Sequence, residues 1–282
     1  MSKFDWSEAK RFWEVRDSYW AETDHDDDPD ALQNVVCAGE PLWLNRAFAR
    51  YQEAAYQRLF GLLPPPTAGA RALDVGCGAG RWCRFLSNHG YHTVGIDLQP
   101  ELIRASRQRY PYIDFFCTPV QNFVTEEPFD LVSSVTVIQH NPFEEQRAVI
   151  GKIRDLLNDG GHLIMLEGIR ETPEPYYFTR SVGGWVETFE SFGFRNVAIQ
   201  RYNYNLLLRL GWRLTSMLRS LRPNSNELGL EEMAATPEPQ GGYLLNSAKR
   251  LAVRLDTAVE PILARRSVDI SSLNCGFLFQ AV

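Results

Sequence analysis

The chain has 282 residues, of which 44% are hydrophobic, and it carries a formal net charge of −6. This length accommodates one large α/β domain with additions or two small domains, and the hydrophobic fraction excludes global disorder. The acidic balance argues against nucleic acid as the main partner, because phosphate backbones attract basic surfaces.

Cysteine and histidine usage favours a reduced protein without a metal. The five cysteines and five histidines form neither a Cys-x-x-Cys pair nor a spacing typical of zinc ligands, so we expect free thiols and no metal site. The first residues lack the apolar core of a signal peptide, and no apolar run reaches the roughly 18 residues of a membrane-spanning helix. We therefore expect a cytoplasmic protein.

Residues 1–63 have the pattern of helices interrupted by an acidic stretch. Apolar residues recur at helical spacing around positions 12–19 and again at 44–59, and the run ETDHDDDPD separates the two stretches. The proline-rich sequence PPPTAGA at 64–70 ends the second helix. We expect residues 1–63 to form a helical cap.

Residues 71–203 alternate between short β-type runs and helical stretches. Six strands are predicted at RALDV, HTVGID, YIDFFC, FDLVSSVTV, HLIMLE and NVAIQRY, with helices beginning near Arg81, Pro100, Phe143 and Val182. Such alternation is typical of βαβ units in a doubly wound, mostly parallel α/β sheet. Ligands of this architecture bind beyond the carboxyl ends of the strands.

Residues 204–272 predict a helical insertion before a last strand. Two amphipathic stretches, 206–222 and 244–262, precede NCGFLFQA, so we expect residues 273–282 to return to the core sheet. The insertion and residues 1–63 should together cover an acceptor. Arginines flank the leucine-rich face of 206–222, which is compatible with a membrane surface. Packing against the domain, or against a second subunit in a homodimer, is favoured over membrane contact.

The sequence LDVGCGAGRW at 73–82 is a glycine-rich loop after the first predicted strand. A dinucleotide fingerprint that starts at Gly76 requires glycine at position 81, where this chain has Arg81. Asp74 would repel phosphates and instead suits a ligand with a cationic ammonium or sulfonium group. Asp97, at the end of the second strand, is placed to accept the ribose hydroxyls of an adenine nucleoside. S-adenosylmethionine fits these features better than a nicotinamide dinucleotide does.

Four stretches together carry a resemblance to a known family. ALDVGCGAGRW, VGIDLQPELIRAS, FDLVSSVTVIQHNP and LLNDGGHLIMLE resemble the class I S-adenosylmethionine-dependent methyltransferases, over about residues 70–203 and the terminal strand. The resemblance implies a seven-stranded sheet whose last strand runs antiparallel between the fifth and sixth. It also implies a set of cofactor contacts: Gly76, Gly78 and Gly80 with the methionine portion, Asp97 with the ribose, and Val120 and Gln121 with the adenine. Leu98 and Val135, at the ends of the second and fourth strands, complete the expected cofactor set.

One branch of this family is similar in finer detail. The sequences GRW, VQNF and VIQH resemble the protein α-N-terminal methyltransferases, which implies that Arg81 faces the methionine carboxylate. That branch continues from its fifth strand with an acidic residue and then asparagine, whereas this chain has Glu167 and Gly168. This departure weakens the expectation of peptide amine methylation and leaves the acceptor open.

His140 and Glu167 are the candidate catalytic residues. Methyl transfer requires in-line alignment and, for a hydroxyl acceptor, removal of a proton. The near-neutral pKa of histidine suits a general base at position 140, although His140 could equally cap the following helix. Glu167 could orient an acceptor or pair with Arg170. We expect O-methylation of a small or medium-sized acceptor, such as a sugar-containing metabolite or natural product. Alternatives are N-methylation of a small or peptide amine, and S-adenosylmethionine binding without catalysis.

Overall fold

The computed structural model describes residues 28–36, 41–170, 177–210, 243–266 and 272–282. Its helices are α1 (Leu32–Val35), α2 (Leu42–Phe60), α3 (Arg81–Asn88), α4 (Pro100–Arg109), α5 (Phe143–Leu156), α6 (Val182–Glu190) and α7 (Tyr243–Arg266). Its strands are β1 (Arg71–Val75), β2 (His92–Asp97), β3 (Asp114–Cys117), β4 (Phe129–Val135), β5 (Leu157–Gly168), β6 (Phe194–Tyr202) and β7 (Asn274–Ala281).

The seven strands form a single sheet in the order β3-β2-β1-β4-β5-β7-β6. Strand β7 lies antiparallel between β5 and β6, and the pairs among β1 to β5 are parallel. The predicted seven-stranded, doubly wound fold is therefore confirmed. The strand order reverses between β1 and β4, which is where a doubly wound sheet opens its ligand crevice.

Helices cover both faces of this sheet because its central strands are apolar on both sides. On one face, α5 and α6 contribute Val149, Ile153 and Phe189, and the Phe189 ring stacks on Phe279 of β7 at 4.6 Å. On the other face, α2 and α3 contribute Tyr56 and Trp82, whose rings stack at 4.1 Å. Helix α2 thus belongs to the layer that covers the sheet, beside β5, β6 and β7.

Polar contacts attach α7 to the end of β6 and to α2. Asp256 and Glu260 are buried on α7, and their carboxylates accept backbone N–H groups from residues 203–208. The hydroxyl oxygens of Tyr51 and Thr257 lie 2.8 Å apart. Within the described ranges, no helix has the length and apolar character that crossing a bilayer requires.

Most predicted elements begin and end within a few residues of the observed ones, with two informative differences. The strand predicted over 129–137 ends at Val135, because Thr136 adopts a left-handed φ of 57° that bends the chain into a turn. The strand predicted at 162–167 extends from Leu157 to Gly168. The helix predicted near residues 12–19 lies outside the described residues, and the helix predicted over 206–222 is described only over 206–210.

Candidate active site

The glycine loop after β1 is fixed to the end of β2 by backbone and carboxylate contacts. The N–H groups of Gly76 and Cys77 both donate to the carbonyl oxygen of Ile96, at 2.8 and 3.0 Å. The Gly78 N–H donates to Oδ2 of Asp97 at 2.8 Å, and Oδ1 accepts the Gln99 N–H at 2.9 Å. The structure therefore brings Asp97 and the loop together, as the sequence predicts.

All three loop glycines are required by their neighbours as well as by their backbone angles. Gly76 has a φ of 70°, and a Cβ there would lie 2.3 Å from Cγ2 of Val137. Gly78 has a φ of 53°, and a Cβ there would lie 3.0 Å from Cγ1 of Val35 in α1. Gly80 has a φ of 83°, and a Cβ there would lie 3.0 Å from Cδ2 of Tyr110 and 3.1 Å from Cζ of Phe115. The loop is therefore enclosed by the turn after β4 and by α1.

The expected cofactor contacts beyond the glycine loop differ in exposure. Leu98 follows β2 and is 57% exposed, and the side chain of Gln121 is also exposed. Val120 is buried in the core cluster beneath them, and Val135 is partly buried at the end of β4. The backbone N–H of Thr118 donates to the carbonyl oxygen of Asp97 at 3.0 Å, which joins the ends of β2 and β3. Leu98 and Gln121 are thus accessible to a ligand at this edge.

Asp74 lies beneath the loop and is only 1% exposed. Its Oδ2 accepts from the Cys83 thiol at 3.5 Å, and its register neighbours are Gly95 and Ser133. Burial raises the pKa of Asp74 to about 7, and hydrogen bonds from Ser133 and Cys83 oppose this rise. The expectation of a carboxylate that faces a cationic ligand is corrected here, because this carboxyl group supports the loop from inside.

Arg81 extends toward α2. Its guanidinium donates to the carbonyl oxygen of Ala49 at 2.7 Å and to Oε1 of Gln52 at 3.3 Å, and Glu53 lies 3.8 Å away. Burial lowers the pKa of Arg81. The resemblance implies that Arg81 faces a methionine carboxylate. The structure assigns these donor groups to α2, because the helix presents acceptors that satisfy the buried guanidinium.

Glu167 holds the turn that follows β4. Its side chain is fully buried, with Oε1 accepting the N–H groups of Val137 (3.2 Å) and Ile138 (2.8 Å) and Oε2 accepting that of Gln139 (3.3 Å). Burial raises the pKa of Glu167 to about 8, against the opposing effect of these three donors. Glu167 therefore shapes the turn rather than presenting its carboxyl group to an acceptor, which revises the expected role.

His140 ends this turn and lies against an aromatic ring. It occupies the short 3-10 helix Ile138–His140, and its ring centroid is 5.0 Å from that of Tyr177. Its Nε2 lies 3.4 Å from Nε2 of Gln139. The turn that carries His140 also carries Val137, which contacts Gly76. The turn that ends in the candidate base thus contacts the glycine loop through Val137.

The sequence analysis missed a buried polar network next to the turn that carries His140. Gln146 of α5 is fully buried, donates to the carbonyl oxygens of Asn141 and Phe178, and accepts from Nε of Arg180. The guanidinium of Arg180 lies 4.6 Å above the Phe143 ring, and Trp185 donates to the carbonyl oxygen of Gly168 at 3.0 Å. The sequence signal that could have revealed this network was Gln146, a glutamine on the apolar face of the helix predicted from about Phe143.

A family model described as a methyltransferase domain matches residues 72–161. The ubiquinone biosynthesis O-methyltransferase of Xylella fastidiosa is 33% identical over 106 residues, which cover 36% of this chain and 42% of that protein. The protein of the same name from Xanthomonas euvesicatoria pv. vesicatoria is 26% identical over 241 residues, covering 78% of this chain and 91% of that one. The chain therefore matches less than half of the first relative and most of the second.

A solved structure shows the same fold. Magnesium protoporphyrin IX methyltransferase from Synechocystis, with bound S-adenosylmethionine, superposes with a TM-score of 0.52 at 15% identity. The superposition covers 71% of this chain and 92% of that one. At this identity the likeness concerns the fold alone.

Proposed function

We propose that this chain is a class I S-adenosylmethionine-dependent methyltransferase that methylates a hydroxyl oxygen on a small acceptor. The observation that carries the proposal is the contact between the glycine loop and the turn that ends in His140. A Cβ at Gly76 would lie 2.3 Å from a methyl carbon of Val137, three residues before His140. The turn that ends in a candidate proton acceptor therefore lies against the loop that the family uses for its cofactor.

The residues at this edge fit S-adenosylmethionine. The carboxylate of Asp97 is partly exposed, so its oxygens can accept ribose hydroxyls in addition to the two N–H groups they already accept. Leu98 and Gln121 can contact the adenine, and the backbone at Gly76 and Gly78 leaves room for the methionine portion. When bound, the cofactor supplies a methyl group activated by its sulfonium.

His140 would remove the proton of the acceptor. As the hydroxyl oxygen bonded to the methyl carbon and the methyl–sulfur bond of the cofactor broke, the hydroxyl proton would move to an imidazole nitrogen and would later be released to water. An unperturbed histidine has a pKa of about 6.5, compared with about 10 for a phenol and 15.7 for water. The gap is roughly 3.5 units for an aromatic hydroxyl and about 9 for an aliphatic one. A histidine base therefore favours an aromatic hydroxyl.

The surroundings of His140 also support an aromatic acceptor. Tyr177 lies against the imidazole, and Phe143 and Phe178 pack edge to face with centroids 5.7 Å apart. The relatives are named as O-methyltransferases of ubiquinone biosynthesis, and a quinone is a ring compound. We therefore place an aromatic hydroxyl ahead of the sugar-containing acceptor that the sequence suggested.

The test measures S-adenosylhomocysteine release with matched panels of phenols and catechols, sugars, and amines. With a phenolic acceptor, His140→Gln should lower turnover by about 10²–10⁴-fold, the usual contribution of a general base. Its cofactor affinity by calorimetry should match the wild type. The control is His92→Gln, an exposed histidine at the start of β2, which should leave turnover unchanged.

Three results would contradict the proposal in different ways. Unchanged turnover in His140→Gln would remove this residue as the base. Turnover confined to amines would indicate N-methylation, which needs no strong base. Cofactor binding without turnover on any panel would indicate a binding protein.

A further inference from the structure

The side chain of Gln139 connects the end of β5 to the His140 ring. Its Oε1 accepts the backbone N–H of Gly168 at 2.7 Å, and its Nε2 lies 3.4 Å from Nε2 of His140. The residue is only 5% exposed, and its own backbone N–H and carbonyl are bonded to Glu167 and Phe178. Gln139 is therefore held at both its backbone and its side chain.

The contact with Gly168 fixes which end of the Gln139 amide faces the histidine. A backbone N–H can only donate, so the amide atom 2.7 Å from it is the oxygen. The NH₂ group, which can only donate, then points at His140. An Nε2–H on the histidine would place two donors against each other, whereas an unprotonated Nε2 accepts the hydrogen bond.

We propose that Gln139 is a positioning residue that holds His140 in the neutral tautomer with the proton on Nδ1. In this tautomer Nε2 has the lone pair and is the nitrogen that can take a proton from an acceptor. A bound acceptor hydroxyl would replace the long Gln139 contact at Nε2 and donate its proton there as the O–CH₃ bond forms and the methyl–sulfur bond of the cofactor breaks, which would leave an imidazolium and S-adenosylhomocysteine. Because the Gln139 NH₂ repels an Nε2–H, it favours the neutral ring and opposes protonation from water.

Gly168 is required for the hydrogen bond between the Gln139 side chain and β5. A Cβ at position 168 would lie 2.7 Å from Oε1 of Gln139, closer than carbon and oxygen can approach. The absence of a side chain thus lets the amide reach the backbone of β5. This provides a physical reason for glycine after Glu167, at the position where the similar α-N-terminal branch has asparagine.

The first test is the tautomer itself, measured by ¹⁵N NMR of the histidine rings in the full-length protein. His140 is assigned as the signal lost in His140→Gln. We expect a protonated Nδ1 and an unprotonated Nε2 at a pH where the ring is neutral. His89, whose Nδ1 lies 2.7 Å from the Phe85 carbonyl oxygen, provides a reference for the same tautomer. A proton on Nε2 of neutral His140 would overturn the proposal, whatever reaction the protein catalyses.

The second test replaces the donor by an acceptor of the same shape. In Gln139→Glu one carboxylate oxygen can still accept from Gly168, and the other faces Nε2 and favours a proton there. An anion this close should raise the pKa of His140 by about 1–3 units. Charged or titratable groups beside this turn include Glu167 beneath it, Tyr177 against the ring and Arg180 behind Gln146. All three are unchanged between the two proteins.

The activity measurement on Gln139→Glu rests on the proposed function, whereas the NMR measurement of the tautomer does not. In Gln139→Glu we expect Nε2 to be protonated and the acidic limb of the pH–rate profile to move up by about 1–3 units. The control is Gln108→Glu, the same substitution at an exposed position of α4. It should change neither the His140 tautomer nor the pH–rate profile. An unchanged tautomer in Gln139→Glu would overturn the proposal. A changed tautomer with an unmoved pH profile would leave the positioning intact and refute His140 as the base.

Discussion

The contact between Gly76 and Val137 leads to a quantitative prediction for Gly76→Ala. The substitution places a side chain at a φ of 70°, where a left-handed conformation costs about 1–2 kcal/mol. It also puts a methyl group 2.3 Å from Cγ2 of Val137, and overpacking of this kind costs about 1–3 kcal/mol. We expect the free energy of unfolding to fall by about 2–5 kcal/mol, measured by urea denaturation followed by circular dichroism.

Two further variants separate the steric cost from the backbone cost. Gly160 has a φ of 78°, and no atom lies within 4 Å of the place that a Cβ would take, so Gly160→Ala should lose only the backbone contribution of about 1–2 kcal/mol. Combining Gly76→Ala with Val137→Ala removes the methyl groups in the way, and the pair should show a favourable coupling of about 0.5–3 kcal/mol. The contact between Gly76 and Val137 would be refuted if Gly76→Ala and Gly160→Ala lost the same free energy of unfolding and if Gly76→Ala showed no coupling to Val137→Ala.

Two predictions concern a thiol and a buried acid. Cys117 is an exposed thiol at the end of β3, whereas Cys77, Cys83 and Cys275 are buried. Maleimide should therefore modify Cys117 in the folded protein, and S-adenosylmethionine should slow this in proportion to its occupancy, as followed by peptide mass spectrometry. An unchanged rate at saturating cofactor would place the adenine elsewhere. Burial raises the pKa of Asp74 from 3.8 to about 7, so the folded state binds this proton more tightly than the unfolded chain does. Stability should fall as pH rises between these values, by up to about 1.4 kcal/mol per pH unit, and Asp74→Asn should lack this slope in urea titrations. Equal slopes in the two proteins would contradict the assignment.

The parts of the fold that follow from local sequence were predictable. The apolar runs at β1, β2 and β7 have the observed bounds because each is flanked by turn residues or helix starts. The glycine spacing and Asp97 belong to one βαβ unit, so their proximity follows from the right-handed connection between β1 and β2. The proximity of the glycine loop and Asp97 could therefore be predicted from residues close together in the chain.

The residues whose observed contacts differ from the expected ones are those whose partners lie far away in sequence. Arg81 has the spacing of a ligand contact, and its guanidinium is instead satisfied by a helix about thirty residues earlier. Glu167 appears at the end of a strand, where a carboxylate often meets a ligand, and it accepts three N–H groups from the turn after β4. Local pattern gives the position of such a side chain along a strand, and tertiary packing decides which partner its charge meets.

Under the proposed function, the turn from Thr136 to His140 links the cofactor side of this fold to the acceptor side. Val137 contacts Gly76 of the cofactor loop, and two residues later Gln139 bonds to Gly168 and faces His140. Because Glu167 bonds to three successive N–H groups of this turn, a displacement at Val137 moves the backbone of Gln139 as well. Under the proposed function, we therefore expect changes in acceptor preference to arise at side chains outside this turn, such as Tyr177, whose ring centroid lies 5.0 Å from that of His140.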